Sequence, residues 1–160
     1  MHVPRAICST ARDLSHLFKT TARVRVNTMG MKTKLKYVIF YVEDVAASRA
    51  FYAEAFDLAP GFIHESGDYG EMNSGETTLS FSSRELMQQL GKNPCRPDPV
   101  GPTFEIAFEV DDVPAALSRA LGAGASLVQE VKEEAWGQTT SYVSDPDGYL
   151  VEICSPVAES

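Results

Sequence analysis

Lys36–Val42 is an almost unbroken run of β-branched and aromatic residues, the pattern of a strand buried on both faces. Asp44 stands where a helix N-cap belongs, and Ala47, Ala50, Phe51, Ala55 and Leu58 follow at helical spacing. This predicts a helix over 45–56 with one apolar face, which Tyr52 and Phe56 widen on one side. Pro60-Gly61 closes it. Three short strands are expected next, at Gly61–Glu65, Tyr69–Asn73 and Thr77–Ser82. The turn formers Ser66-Gly67-Asp68 and Asn73-Ser74-Gly75 separate them. The order is β-α-β-β-β.

Ser83–Gly101 breaks the pattern. Arg84–Leu90 has room for one or two helical turns, and Pro94, Pro97, Pro99 and Pro102 then deny regular structure, which makes 84–101 a linker. Beyond it the order returns: strand Thr103–Val110, cap Asp112, helix Val113–Leu121, then strands Ser126–Lys132, Thr139–Ser144 and Tyr149–Cys154. Pro114 suits a first helical turn, Gly122 and Gly124 stop the helix, and Asp145-Pro-Asp-Gly148 is a strong turn signal. The return is also literal. Tyr37–Ser48 reappears as Glu105–Ala116 at an offset of 68, with Phe40/Phe108, Val42/Val110, Asp44/Asp112, Val45/Val113 and Ala47/Ala115 identical. Two copies of one module, 34–83 and 102–156, are implied, within a domain spanning 34–160. The first copy opens on Tyr37, the second on Glu105.

Charge changes the picture at the N-terminus. Met1–Lys36 holds eight basic residues and one acid, a net of +7, while the remaining 124 residues carry six basic and 21 acidic, a net of −15. An acidic body of that kind repels phosphate, so neither nucleic acid nor an anionic membrane is an expected partner. No run is long enough to span a bilayer. The segment 1–33 reads as a basic leader outside the fold. It is either an organelle transit peptide, being rich in Arg, Ser and Thr, or an extension upstream of a start at Met29 or Met31. Three cysteines without C-x-x-C spacing support no disulfide framework. A cytoplasmic location is expected, or an organellar one if the leader is a true transit peptide.

The run Tyr37–Tyr52, with its strand, Asp44 and Ala-Ala-Ser-x-x-Phe-Tyr, resembles the opening of the vicinal oxygen chelate superfamily. That group includes glyoxalase I, extradiol dioxygenases and bleomycin-resistance proteins. Ser144-Asp-Pro-Asp-Gly-Tyr-Leu-Val-Glu-Ile153 resembles its closing motif, and the likeness extends over about Lys34 to Pro156. The resemblance implies an α+β fold of two tandem βαβββ modules, each a half-barrel, around a ligand cleft. It also implies four metal-binding side chains, His or Gln, Glu, His and Glu, from the first and last strand of each module. At those positions this chain carries Tyr37, Ser80 (or a neighbour), Glu105 and Glu152.

Two carboxylates of four positions hold a hard divalent ion weakly and all but exclude an iron(II) site built on His. The expected cofactor is therefore none, or a loosely held Mg²⁺, Mn²⁺, Ni²⁺ or Zn²⁺ at Glu105 and Glu152. The first functional reading is a bleomycin-resistance-like protein that binds a small molecule without a complete metal site. The alternative is a metal-dependent glyoxalase-like lyase or isomerase in which Glu105 and Glu152 are catalytic around a hard divalent ion. Candidate ligand-binding residues are Tyr37, Ser80, His64, Trp136 and Gln138. The last two offer a flat apolar surface and a neutral amide. A homodimer is expected from the resemblance.

Overall fold

A computed structural model describes residues 32–157, all but Lys32 within one compact unit, 33–160. The leader up to residue 31 lies outside the described residues. The first module runs β1 (Tyr37–Val42), α1 (Val45–Phe56), β2 (Ala59–Ile63), β3 (Tyr69–Asn73) and β4 (Thr78–Ser83). A short α2 (Arg84–Gln89) opens the linker. The second module runs β5 (Glu105–Glu109), α3 (Val113–Gly122), β6 (Ser126–Glu133), β7 (Thr139–Ser144) and β8 (Leu150–Cys154). Each makes one open four-stranded sheet, ordered β1-β4-β3-β2 and β5-β8-β7-β6, with β1/β4 and β5/β8 parallel and the other pairs antiparallel. The expected α+β architecture of tandem βαβββ modules is what the chain forms.

The caps form as the sequence predicts. Asp44 and Asp112 each accept the amide of the residue three ahead, Ala47 and Ala115, at 2.9 Å. The buried face of α1 differs from expectation. Ala47 and Ala50 are exposed, and Val45, Ser48, Phe51, Tyr52, Ala55 and Phe56 are buried. The helix turns its aromatic pair inward, because two rings remove far more apolar area from water than two methyl groups do. Ser48 is tolerated there because its Oγ donates to Asp44 O at 2.9 Å and lies 3.0 Å from Asp147 Oδ2.

Two strands also depart from expectation. β1 is one-sided: Phe40 and Val42 are buried, but Tyr37 and Ile39 are each 45% exposed. β2 begins two residues earlier than predicted and contains Pro60. It tolerates proline because it is an edge strand, so the missing N–H faces no partner.

The modules share one core. Phe40, Tyr52, Phe81, Val143, Val151 and Ile153 belong to a single buried cluster. Phe56 of α1 stacks on Phe108 of β5 at 4.4 Å, and Phe40 stacks on Tyr149 at 4.0 Å. Polar ties run through the Asp145–Gly148 turn. Asp145 accepts the Tyr52 hydroxyl at 2.9 Å and the amides of Asp147, Gly148 and Tyr149 at 3.0, 2.8 and 2.8 Å. Burial pushes its carboxyl up from the usual range, against these bonds. Asp147 accepts the Glu43 amide at 2.9 Å and Arg84 at 3.1 Å, and Arg84 also pairs with Glu43. Gly148 has φ 102°, and a Cβ there would stand 3.1 Å from Pro97 O, so the linker passes where only glycine leaves room.

Candidate functional site

Strand alternation gives each sheet two faces, and the helices and shared core cover one of them. The other face carries carboxylates and hydroxyls in both modules, and in the first also the exposed apolar side chains of Ile39 and Phe62. Ladder register fixes its equivalences. Ile39 pairs with Ser80 in β1/β4, and Ala107 pairs with Glu152 in β5/β8. Ser80 and Glu152 therefore occupy the same place in their modules, as Tyr37 and Glu105 do.

On the second module's face, Glu105 and Glu152 flank Tyr142, which pairs with Glu152 across β7/β8. The Tyr142 hydroxyl is pushed up to about 12, first by burial, then by the Glu152 and Glu105 charges and its hydrogen bond to Glu152. It therefore remains a donor at any physiological pH. Around it, Thr140 Oγ1 lies 3.2 Å from Glu134 Oε1 and 3.4 Å from Gln129 Nε2, and Lys132 pairs with Glu134 at 2.8 Å. The structure thus brings the two predicted carboxylates to one hydroxyl.

On the first module's face, the buried Ser80 meets Tyr69, whose hydroxyl lies 3.1 Å from Ser80 Oγ and donates to Glu71 Oε1 at 2.9 Å. Glu71 is the ladder partner of Ser80. Burial raises the Tyr69 hydroxyl, with Ser80 opposing the rise and Glu71 adding to it; Tyr37 is close enough to add as well. Register places Glu71 where the second module has Tyr142. The first face does carry a carboxylate, one strand away from where the resemblance put it.

Tyr69, Glu71 and Tyr142 are not marked by the sequence motifs, because they lie on the third strand of each module and the resemblance points to first and last strands. Alternation is the signal that could have found them: each is the same-face neighbour of a last-strand candidate.

Three other candidates sit apart from these groups. His64, in the β2–β3 turn, is exposed and bonds locally, Nδ1 to Ser66 Oγ at 2.8 Å. Trp136 is 53% exposed and donates to Gln138 Oε1 at 3.0 Å, while Gln138 Nε2 donates to Ser155 O at 2.8 Å. Both ends of the Gln138 amide are thus engaged within the β6–β7 hairpin and its neighbour. No hydrogen bond among the described residues joins these three to Glu105, Glu152, Tyr37 or Ser80. The groups acting on Tyr69 all belong to the first module, and those acting on Tyr142 all to the second. Among the described residues no three His, Cys, Asp or Glu side chains converge as metal ligands would. A cavity of about 520 Å³ is lined by α1 residues such as Phe51 and Glu54 together with Arg96 and Asp147, and contains none of the candidates.

Comparison with known proteins agrees with this architecture. The family model for the glyoxalase-like domain matches residues 35–158. A protein of Mycobacterium tuberculosis strain H37Rv, itself uncharacterised, is 30% identical over 123 residues, which cover 74% of this chain and 72% of that one. Among solved structures, a glyoxalase-related enzyme from Fulvimarina pelagi aligns with a TM-score of 0.67 at 24% identity, over 78% of this chain and 88% of its own. A glyoxalase/bleomycin resistance protein/dioxygenase family enzyme from Burkholderia phytofirmans gives 0.64 at 25% identity, over 79% of this chain and 100% of its own.

Proposed function

The chain belongs to the glyoxalase-like domain family, and from that premise we propose that it binds a small organic molecule between the polar faces of its modules, without a complete metal site. The observation that carries this reading is the inequality of equivalent positions. Tyr37 stands against Glu105 and Ser80 against Glu152, so a hydroxyl replaces a carboxylate at each first-module position. Neutral hydroxyls are poor ligands for divalent ions but good hydrogen-bond partners for an organic molecule. The donor set does not fit a resident metal, and no chemical step is assigned to one. The test is the thermal melt of the full chain with bleomycin and with a library of cationic and polar drug-like molecules, all in excess chelator. A chelator-insensitive rise in Tm that depends on Glu105 and Glu152 is expected. Failure of every compound to shift Tm overturns the reading.

A second reading is favoured by one observation, the convergence of Glu105 and Glu152 on Tyr142. Two carboxylates and a hydroxyl held protonated form a proton-transfer group, which is what a glyoxalase-like lyase or isomerase requires. It predicts turnover of an α-hydroxycarbonyl substrate, lost in Glu152→Gln with folding intact.

Both readings include a homodimer. Support comes from the separateness of the two polar faces within one chain, since a partner would set one module's face against the other's. Light scattering at micromolar concentration should give twice the chain mass; a monomer at the highest soluble concentration counts against it. A cytoplasmic setting is proposed on the free Cys95 and Cys154, thiols that a reducing compartment preserves. Among the described residues no helix is long and apolar enough to cross a membrane.

A further inference from the structure

The open face of the first module combines features that the carboxylate-rich second face lacks. Tyr37 and Ile39 are each 45% exposed and Phe62 is 58% exposed, unusual for large apolar groups on a strand face that nothing in the described chain covers. Phe62 lies 6.4 Å from Tyr69, ring centre to ring centre. In the same patch Glu71 presents one carboxylate. Its Oε1 takes the Tyr69 hydroxyl, which is itself 3.1 Å from Ser80 Oγ. Neither a hydrogen bond nor a basic partner occupies Oε2 among the described residues.

We propose that the first-module face recognises a flat aromatic ring bearing a positive charge, with Glu71 as its anionic anchor, Tyr69 as the residue that positions Glu71, and Phe62, beside Tyr69, as the stacking surface. An aromatic amidinium or a guanidinium-bearing heteroaromatic has this chemistry. Its planar cation donates to Oε2, and its ring covers apolar area that would otherwise face water. The move of the acid from the last strand to the third supplies the reason for a single anchor. With Ser80 in place of a last-strand carboxylate, Glu71 is the acid of the hydrogen-bonded group it forms with Tyr69 and Ser80, and one negative charge suits an organic monocation better than a divalent metal. This assignment rests on the small-molecule reading above and names the ligand class for one of its two faces.

The test uses the ¹⁵N-labelled full chain, titrated to millimolar concentration with benzamidinium and with its neutral isostere benzamide. Amide shifts are expected at Phe62, Tyr69 and Glu71, with benzamidinium binding about tenfold more tightly than benzamide, a difference of about 1.4 kcal/mol. Glu71→Gln keeps an acceptor for Tyr69 and should bring the benzamidinium affinity down to that of benzamide, erasing the preference for the cation. Tyr69→Phe should reduce the preference partially and be rescued by no change at Ser80. Equal affinity for the two probes, shifts confined to the Glu105–Tyr142–Glu152 face, or no shifts at either face each overturn the proposal. The outcomes also separate it from the broader reading. If library compounds shift the melt but benzamidinium shows no Glu71-dependent preference, only this assignment fails; if nothing binds either face, both fail.

Discussion

The two strand faces have the same backbone and different chemistry. In the second module the last strand carries the acid, Glu152, and the third strand carries a tyrosine, Tyr142, held protonated by burial and by two carboxylates. In the first module the pair is reversed: the third strand carries the acid, Glu71, and the last carries Ser80, with Tyr69 bridging them. Duplicated frames thus keep their hydrogen-bond register while the charged group moves by one strand. What can bind changes as a result, because charge number and its surroundings decide between a divalent ion and an organic cation. The same frame can therefore host different activities, and a shared fold does not transfer one.

The comparison is broken most completely by separating the modules. Asp147 accepts the Glu43 amide, faces Ser48 and pairs with the half-buried Arg84, so Asp147→Ala leaves that guanidinium with one partner fewer. A loss of about 2–4 kcal/mol in chemical denaturation is expected, with both modules unfolding together. A separate, earlier transition of one module would show that the shared core does not couple them.

Next in size, Tyr69→Phe removes the bridge of the first face alone. About 0.5–1.5 kcal/mol of stability should be lost, with the Tyr142 titration unmoved. A change at Tyr142 would mean that the faces communicate. The converse experiment is Glu152→Gln, read by the absorbance titration of the tyrosines. Removing that negative charge should lower the Tyr142 value from about 12 towards its ordinary range. The linkage follows the same sign. A hydroxyl whose folded value is raised stabilises the fold fully below about pH 10, its unfolded value, and loses that contribution as pH rises through about 12. The variant should lose it over a lower and narrower window. The smallest effect belongs to Trp136, exposed and bonded only to Gln138. Its replacement by alanine should change stability by less than about 0.5 kcal/mol.

Much of this contrast is legible in the residues themselves. The caps at Asp44 and Asp112 and the 68-residue repeat carry local, strong physics, and both helices start where they predict. The opposition of Tyr37 and Glu105 is visible for the same reason. Burial direction is not. β1 reads as doubly buried because Tyr37 and Ile39 are apolar, yet an apolar residue left open for a ligand has the same letter as one in a core. Nor does local spacing mark Glu71, whose importance arises from pairing with Ser80 across a ladder. The inward turn of Tyr52 and Phe56 depends likewise on Phe108 of the other module, supplied by tertiary packing.

Whether the first-module hydroxyls leave the metal site incomplete is read from the metal content of the purified full-length chain after dialysis against Mn²⁺, Ni²⁺ and Zn²⁺ in turn. The unequal faces predict content well below one ion per chain for each metal, unchanged by Glu152→Gln. One tightly retained ion per chain, lost in that variant, would contradict it.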